Sequence, residues 1–200
     1  MAATLIQGGR LFDGTQEPSR MANLLVEDGR VVEISEREIV PPEGAKVVDA
    51  AGQWVMPGFI DNHTHYDGEV LVEPGLGESV RHGVTTVMLG GCSLSFVCAD
   101  VEDCCDMFTR VEAFPREILF PILRDQKEWS TPDGWIEHIN SLPVGPNLAS
   151  FIGHSDIRAA VMGIDRSLTP GEQPTPAEIR RMGELLEEAL DAGFIGISMQ

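Results

Sequence analysis

The chain has 200 residues, 42% of them hydrophobic, and a formal net charge of -18 from 32 acidic side chains against 14 basic ones. That apolar content supports a sizeable core, and with no cluster of Lys or Arg to interrupt the acidity, nucleic acid and other polyanionic partners are disfavoured. The opening MAATLIQGGRLFDG lacks the basic start and long apolar run of a secretion signal, and no stretch approaches the ~18 apolar residues that cross a bilayer, so the expectation is a cytoplasmic protein that does not contact membranes.

Residues 3 to 50 carry short alternating segments, TLIQGGRLFDG, ANLLVEDGRVVEIS and AKVVDAAG, separated by Gly, Asp and Pro turns. They read as a small β unit. The clearest hairpin lies between NLLV and VVEI, where Asp28-Gly29 supplies the positive φ of a tight reversal. PPEG at 41 to 44 reads as a rigid loop.

Val55 to Asp67, VMPGFIDNHTHYD, reads as a buried strand ending in two histidines one residue apart. Side chains alternate across a strand, so Phe59, Asp61, His63 and His65 share one face and the two imidazoles are presented to one point. This is half of a metal site, although HxH taken alone is a weak motif.

From Pro57 onward apolar strands alternate with amphipathic helices, the pattern of a parallel α/β sheet. Residues 74 to 82 predict a short helix closed by Gly83, with His82 in its last turn near the negative end of the helix dipole. Val84 to Leu89 predicts a β-branched strand running into Gly90-Gly91-Cys92, a glycine pair that lets the backbone approach a ligand and aims Cys92 beyond the strand end. The other reading of Cys92 is a small residue in a glycine turn.

Residues 100 to 112 predict a helix opened by Asp100, with Val101, Cys104, Cys105, Phe108 and Val111 on its apolar side. The four cysteines lack CxxC spacing and read as thiols, with Cys98, Cys104 and Cys105 as small apolar residues. In 115 to 147 only a helix from Pro132 to Leu142 is legible, its His138 on a solvated face. Leu148 to His154 predicts a third strand, and Ser155 to Met162 a helix. The acidic stretch 165 to 178 reads as surface, apart from the capping box Thr175-Pro176-Ala177-Glu178 at its end. That box opens a helix with Ile179, Met182, Leu185, Leu186, Ala189 and Leu190 on one face. Gly193 closes it, and FIGISM predicts a fourth strand.

PGFIDNHTH, with the GGRLFDG-type β unit before it and RHGVTTVMLGGC after it, resembles the metal-dependent amidohydrolase superfamily, and within it the N-acyl-D-amino-acid deacylases. Gly153-His154 followed by Arg158, and a helix leading into AGFIGIS, extend the resemblance over nearly the whole chain. The family usually has Asn before the cysteine and Gly after it, whereas here they are Gly91 and Ser93, so the loop shape near the substrate is expected to differ.

The resemblance implies a TIM-type (β/α) barrel, of which about the first half is present over 56 to 200, preceded over 1 to 55 by part of a small β-sandwich. A complete barrel takes roughly 250 residues, and the chain reads as the front half of a longer protein. It implies one or two zinc ions, with His63, His65 and Cys92 as ligands. Most binuclear amidohydrolases use a carboxylated lysine as the bridge, but Lys46 and Lys127 are not placed for that job. Asp61, His154 and Arg158 become substrate-binding or ligand-supporting residues, the alternatives being a buried polar residue tied to backbone for Asp61 and a core histidine for His154.

The implied activity is zinc-dependent hydrolysis of the amide bond of an N-acyl-D-amino acid, a small-molecule substrate. The general base and two further histidines are expected beyond Gln200, so the 200 residues alone are expected to be inactive. The alternatives are an amidohydrolase of cyclic amides, or a truncated non-catalytic relative.

Overall fold

The computed structural model describes residues 3–200. The chain divides into two compact units, the first ending at Gly58 and the second running from Phe59 to Gln200.

The first unit is a five-stranded sheet built on β1 (Ala3–Leu11). β2 (Arg20–Glu27) pairs antiparallel with it and β3 (Arg30–Ser35) pairs antiparallel with β2, while β4 (Lys46–Asp49) and β5 (Trp54–Val55) run parallel along the other edge of β1. Asp28 and Gly29 have φ of 48° and 77°, so both central residues of the β2–β3 turn take the left-handed conformation that matches the twist of a hairpin. Leu5, Leu25 and Ile39 form one buried cluster, and Leu11, Ala22 and Leu24 another.

The second unit is mixed α/β. β6 (Phe59–Asp61), β7 (Val84–Leu89) and β8 (Asn147–Ser150) make a parallel sheet in that order, and β9 (Ile152–Gly153) pairs parallel with β10 (Ile197–Ser198). Between β6 and β7 lie α1 (Glu69–Val72) and α2 (Gly77–Arg81). Between β7 and β8 lie α3 (Val101–Val111), α4 (Arg116–Gln126) and α5 (Pro132–Ser141). After β9 come α6 (His154–Met162), α7 (Ile164–Leu168) and α8 (Pro176–Ala192). Leu89, Phe96, Phe108, Leu123, Ile152 and Ala189 belong to one continuous buried cluster. Among the described residues the strands do not close into a barrel, and no helix is long and apolar enough to cross a membrane.

The structure corrects several expectations. The stretch Val55 to Asp67 is not one buried strand: only Trp54–Val55 and Phe59–Asp61 pair, and Phe59 and Ile60 are 57% and 67% exposed because β6 is the edge of its sheet. The predicted strand 148 to 154 is interrupted at Phe151, where pairing passes from β7 to β10: the Phe151 N–H still bonds the Leu89 carbonyl but the Ile152 N–H bonds that of Gly196, and His154 opens α6 instead of ending the strand. The FIGISM strand shrinks to Ile197–Ser198. Helix α4 was illegible because Pro121 lies inside it, where a proline removes a helical hydrogen bond. The 165 to 178 surface stretch contains most of α7. His138 is half-buried with its ring 4.5 Å from that of Trp129. Val111, Ile179 and Leu190, assigned to apolar faces, are about half exposed.

Candidate metal centre

Two chain segments converge beyond the C-terminal ends of β6 and β7. Thr64 is the pivot of the first. Its N–H and its hydroxyl both donate to the Met88 carbonyl, at 3.2 and 2.7 Å, and its side chain is buried. The residues either side of Thr64 therefore turn the other way, and the alternation expected of a strand survives past the last strand residue. His63 and His65 end with ring centroids 5.4 Å apart. Asp61 lies just before them and accepts the His63 N–H at 3.2 Å, so its carboxylate stiffens the backbone that carries the histidines.

The second segment follows β7. Gly90 adopts φ 70°, and a Cβ on it would lie 1.9 Å from the Phe151 carbonyl oxygen; one on Gly91 would lie 3.5 Å from the His63 ring. Only glycine admits the approach at position 90, whereas a Cβ at position 91 would sit in ordinary van der Waals contact. Cys92 and Ser93 are both left-handed, with φ of 49° and 70°, at a cost of roughly 1–2 kcal/mol each for residues with a side chain. This bend brings the Cys92 Sγ to 3.0 Å from the His63 Nε2. The candidate ligand atoms of His63, His65 and Cys92 all lie within 4.8 Å of one another.

The donor set suits zinc. Tetrahedral bonds of about 2.0 Å to nitrogen and 2.3 Å to sulfur separate a nitrogen from a sulfur by roughly 3.5 Å, so the His63–Cys92 pair needs to open by only about half an ångström. The Nδ1 of His65 is buried and makes no hydrogen bond, an orphaned polar atom of the kind a ligand or ion satisfies. Nothing in the sequence marked Glu112, yet it follows α3 directly and its carboxylate stands 3.4 Å from the Nε2 of His65, while Phe108, one turn earlier, packs edge-on against the same ring at 6.3 Å. Asp67 closes the histidine segment. It is 3% exposed and neither carboxylate oxygen makes a hydrogen bond; burial pushes its pKa up to about 7, with the nearby N–H groups of Asp67 and Gly90 offsetting this in part.

His154 and Arg158 fall elsewhere. Both are half-buried on α6, and no hydrogen bond or ion pair among the described residues joins them to the three converging side chains. Burial, helped by the charge of Arg158, lowers the His154 pKa. Arg158, with Leu94, Met107 and Ser155, lines a cavity of about 170 Å³. Among the described residues Cys92 is the half-exposed cysteine; Cys98, Cys104 and Cys105 are buried thiols, and burial pushes all three thiol pKa values up. They are therefore poor nucleophiles and poor ligands.

No family model matches the chain. An uncharacterised protein of Mycobacterium tuberculosis is 53% identical over 194 residues, which are 97% of this chain and 32% of that protein. The N-acyl-D-aspartate deacylase of Alcaligenes xylosoxydans xylosoxydans is 34% identical over 97% of this chain and 36% of its own length. A solved D-aminoacylase, studied for its binuclear metal centre, superposes with a TM-score of 0.78 at 29% identity over 98% of this chain and 38% of that one. Over nearly its whole length the chain is similar to the N-terminal third of N-acyl-D-amino-acid deacylases. It spans about a third of the length of the relatives it matches. A second solved member, the N-acyl-D-glutamate deacylase of Bordetella bronchiseptica, was crystallised with zinc and a phosphonate mimic of the tetrahedral intermediate; it has a TM-score of 0.76 at 31% identity, over 98% of this chain and 38% of that one.

Proposed function

We propose that this chain is the N-terminal portion of a zinc-dependent deacylase that hydrolyses the amide bond of N-acyl-D-amino acids. Residues 56 to 200 then supply the first half of a (β/α) barrel, and residues 1 to 55 part of a small β-sandwich. The observation that carries the reading is the convergence of His63, His65 and Cys92.

His63 and His65 would each give one ring nitrogen and Cys92 its thiolate. A zinc ion held by these three side chains would supply Lewis-acid chemistry, activating a water and polarising the scissile carbonyl. Asp61 holds the backbone of the histidine segment, and Glu112 limits rotation of the His65 ring. Arg158, which lines the cavity beside α6, would meet the carboxylate of a small substrate through charge-assisted bonds, with His154 on the same helix as a second substrate-binding residue. The proton transferred to the leaving amine requires an acid–base group such as a carboxylate.

Two measurements test the proposal. Zinc titration of the 200-residue chain is expected to show saturable binding that Cys92→Ala weakens by at least tenfold, and equal affinity in the variant would remove Cys92 from the site. In deacylation assays with N-acetyl-D- and N-acetyl-L-amino acids, a protein joining this segment to the remainder of the relatives' length is expected to release the D-amino acid selectively. The 200-residue chain is expected to release neither, and turnover by it would show that its ligand set is already sufficient.

A further inference from the structure

The turn that presents Cys92 is closed by one hydroxyl from a distant part of the chain. The Ser198 side chain on β10 donates to the Gly90 carbonyl at 2.5 Å and accepts the Ser93 N–H at 3.0 Å. These two backbone groups flank Cys92, so a single oxygen spans the turn from both sides. More than one hundred residues of sequence separate donor from turn, and no local element explains the bridge.

The far side of the loop is fastened independently. Ser155 donates its N–H toward the Ser93 carbonyl and Ser93 Oγ, both at 2.9 Å, and the Ser93 and Ser155 hydroxyls are 2.8 Å apart. Asp156, fully buried, accepts from the Ser95 hydroxyl and from the N–H groups of Val97, Cys98 and Ala99 at 2.6 to 3.1 Å. Asp156 therefore organises residues 95 to 99, downstream of the cysteine. Within the turn itself, two consecutive left-handed residues persist only where their surroundings over-determine them: Ser155 fastens the Ser93 end, and Ser198 bonds the backbone on both sides of Cys92.

We infer that Ser198 is a positioning residue for the candidate metal centre: its hydroxyl clamps the Gly90–Ser93 turn and thereby holds the Cys92 sulfur beside His63. The inference rests on Cys92 being a ligand. It predicts that removing the hydroxyl leaves the fold intact and costs metal affinity on the tenfold-to-hundredfold scale typical of residues that support a ligand without touching the ion.

The test is a cobalt(II) titration of the 200-residue chain, read by the near-ultraviolet thiolate-to-cobalt charge-transfer band, together with amide hydrogen exchange at Ser93. The parent chain is expected to develop the band and Cys92→Ala to lose it. Ser198→Ala should bind at least tenfold more weakly and exchange the Ser93 N–H faster at unchanged thermal stability, while Ser198→Thr, which keeps the hydroxyl, should restore both. Parent-like affinity, band and exchange in Ser198→Ala, with Cys92→Ala still abolishing the band, would overturn the role of Ser198 alone. An unaltered titration in Cys92→Ala, or no binding by the parent chain, would overturn the ligand reading and this inference with it.

Discussion

At the scale of single residues, the site is a problem of backbone approach before it is one of side-chain chemistry. The Cys92 sulfur reaches His63 because Gly90 tolerates a carbonyl oxygen where a Cβ would be. Gly90→Ala is therefore expected to be destabilising by about 3 kcal/mol, as strain at a special φ combines with a backbone clash, and chemical denaturation would register it as a lowered midpoint with little change in slope. Asp156 is the other residue of large consequence. Its carboxylate satisfies three backbone N–H groups inside a closed pocket, so Asp156→Ala leaves them without partners at a cost of roughly 3–5 kcal/mol. Asp156→Asn, which keeps one acceptor oxygen, is expected to lose less; equal losses in the two variants would show that charge, not hydrogen-bond satisfaction, holds the loop.

At the scale of elements, α8 was the most legible part of the chain. The capping box forms as the sequence predicts: Thr175 accepts the Glu178 N–H at 3.3 Å and the Glu178 carboxylate accepts the Thr175 N–H at 2.7 Å, while Gly193 ends the helix with φ 109°. Thr175→Ala is expected to cost about 1 kcal/mol in thermal or urea unfolding. The same box has a pH signature. Hydrogen bonds from Arg166, then from the Thr175 N–H, hold the Glu178 pKa at about 2, below the usual 4.5. A depressed carboxylate contributes stability above its unfolded pKa and loses it as pH falls toward the folded one. The parent chain should thus lose stability between about pH 4.5 and pH 2 more steeply than Glu178→Gln, and parallel acid-unfolding profiles would refute the assignment. Helix α4 teaches the opposite lesson. Pro121 hid it from a reading based on breakers, yet Leu119 and Leu123 are buried from it into the core, and tertiary packing outweighs the lost hydrogen bond.

At the scale of the whole molecule, β6 is an edge strand of the second unit among the described residues. Phe59 and Ile60 on β6 expose apolar surface together with unpaired strand backbone, a template for pairing with another chain. The 200-residue chain is expected to self-associate with rising concentration. Ile60→Lys should shift sedimentation profiles toward monomer, and an unchanged distribution would show that the edge is not the contact. The pairing order β6-β7-β8, with β9 joined to β10, also decides how far apart in sequence the pieces of the candidate centre lie: the histidines follow β6, the cysteine follows β7, and the clamp comes from β10.

The sequence by itself determined what depends on neighbours along the chain. The Asp28-Gly29 hairpin, the strand Val84–Leu89, the Asp100 cap of α3 and the capping box of α8 are local chemistry, set by φ preferences and side-chain donors a few residues away. The three candidate ligands came from the resemblance that HxH and the cysteine after glycines carry, and the fold is what brings them together. Tertiary structure decided the rest. That β6 stops at Asp61 follows from its position at an edge, and that His154 opens a helix follows from the break at Phe151. Glu112, Asp67, Asp156 and Ser198 carry no spacing signal, because each meets its surroundings through burial or a contact made across the fold. Periodicity encodes a face, whereas only the packing of several elements determines which polar groups on those faces meet.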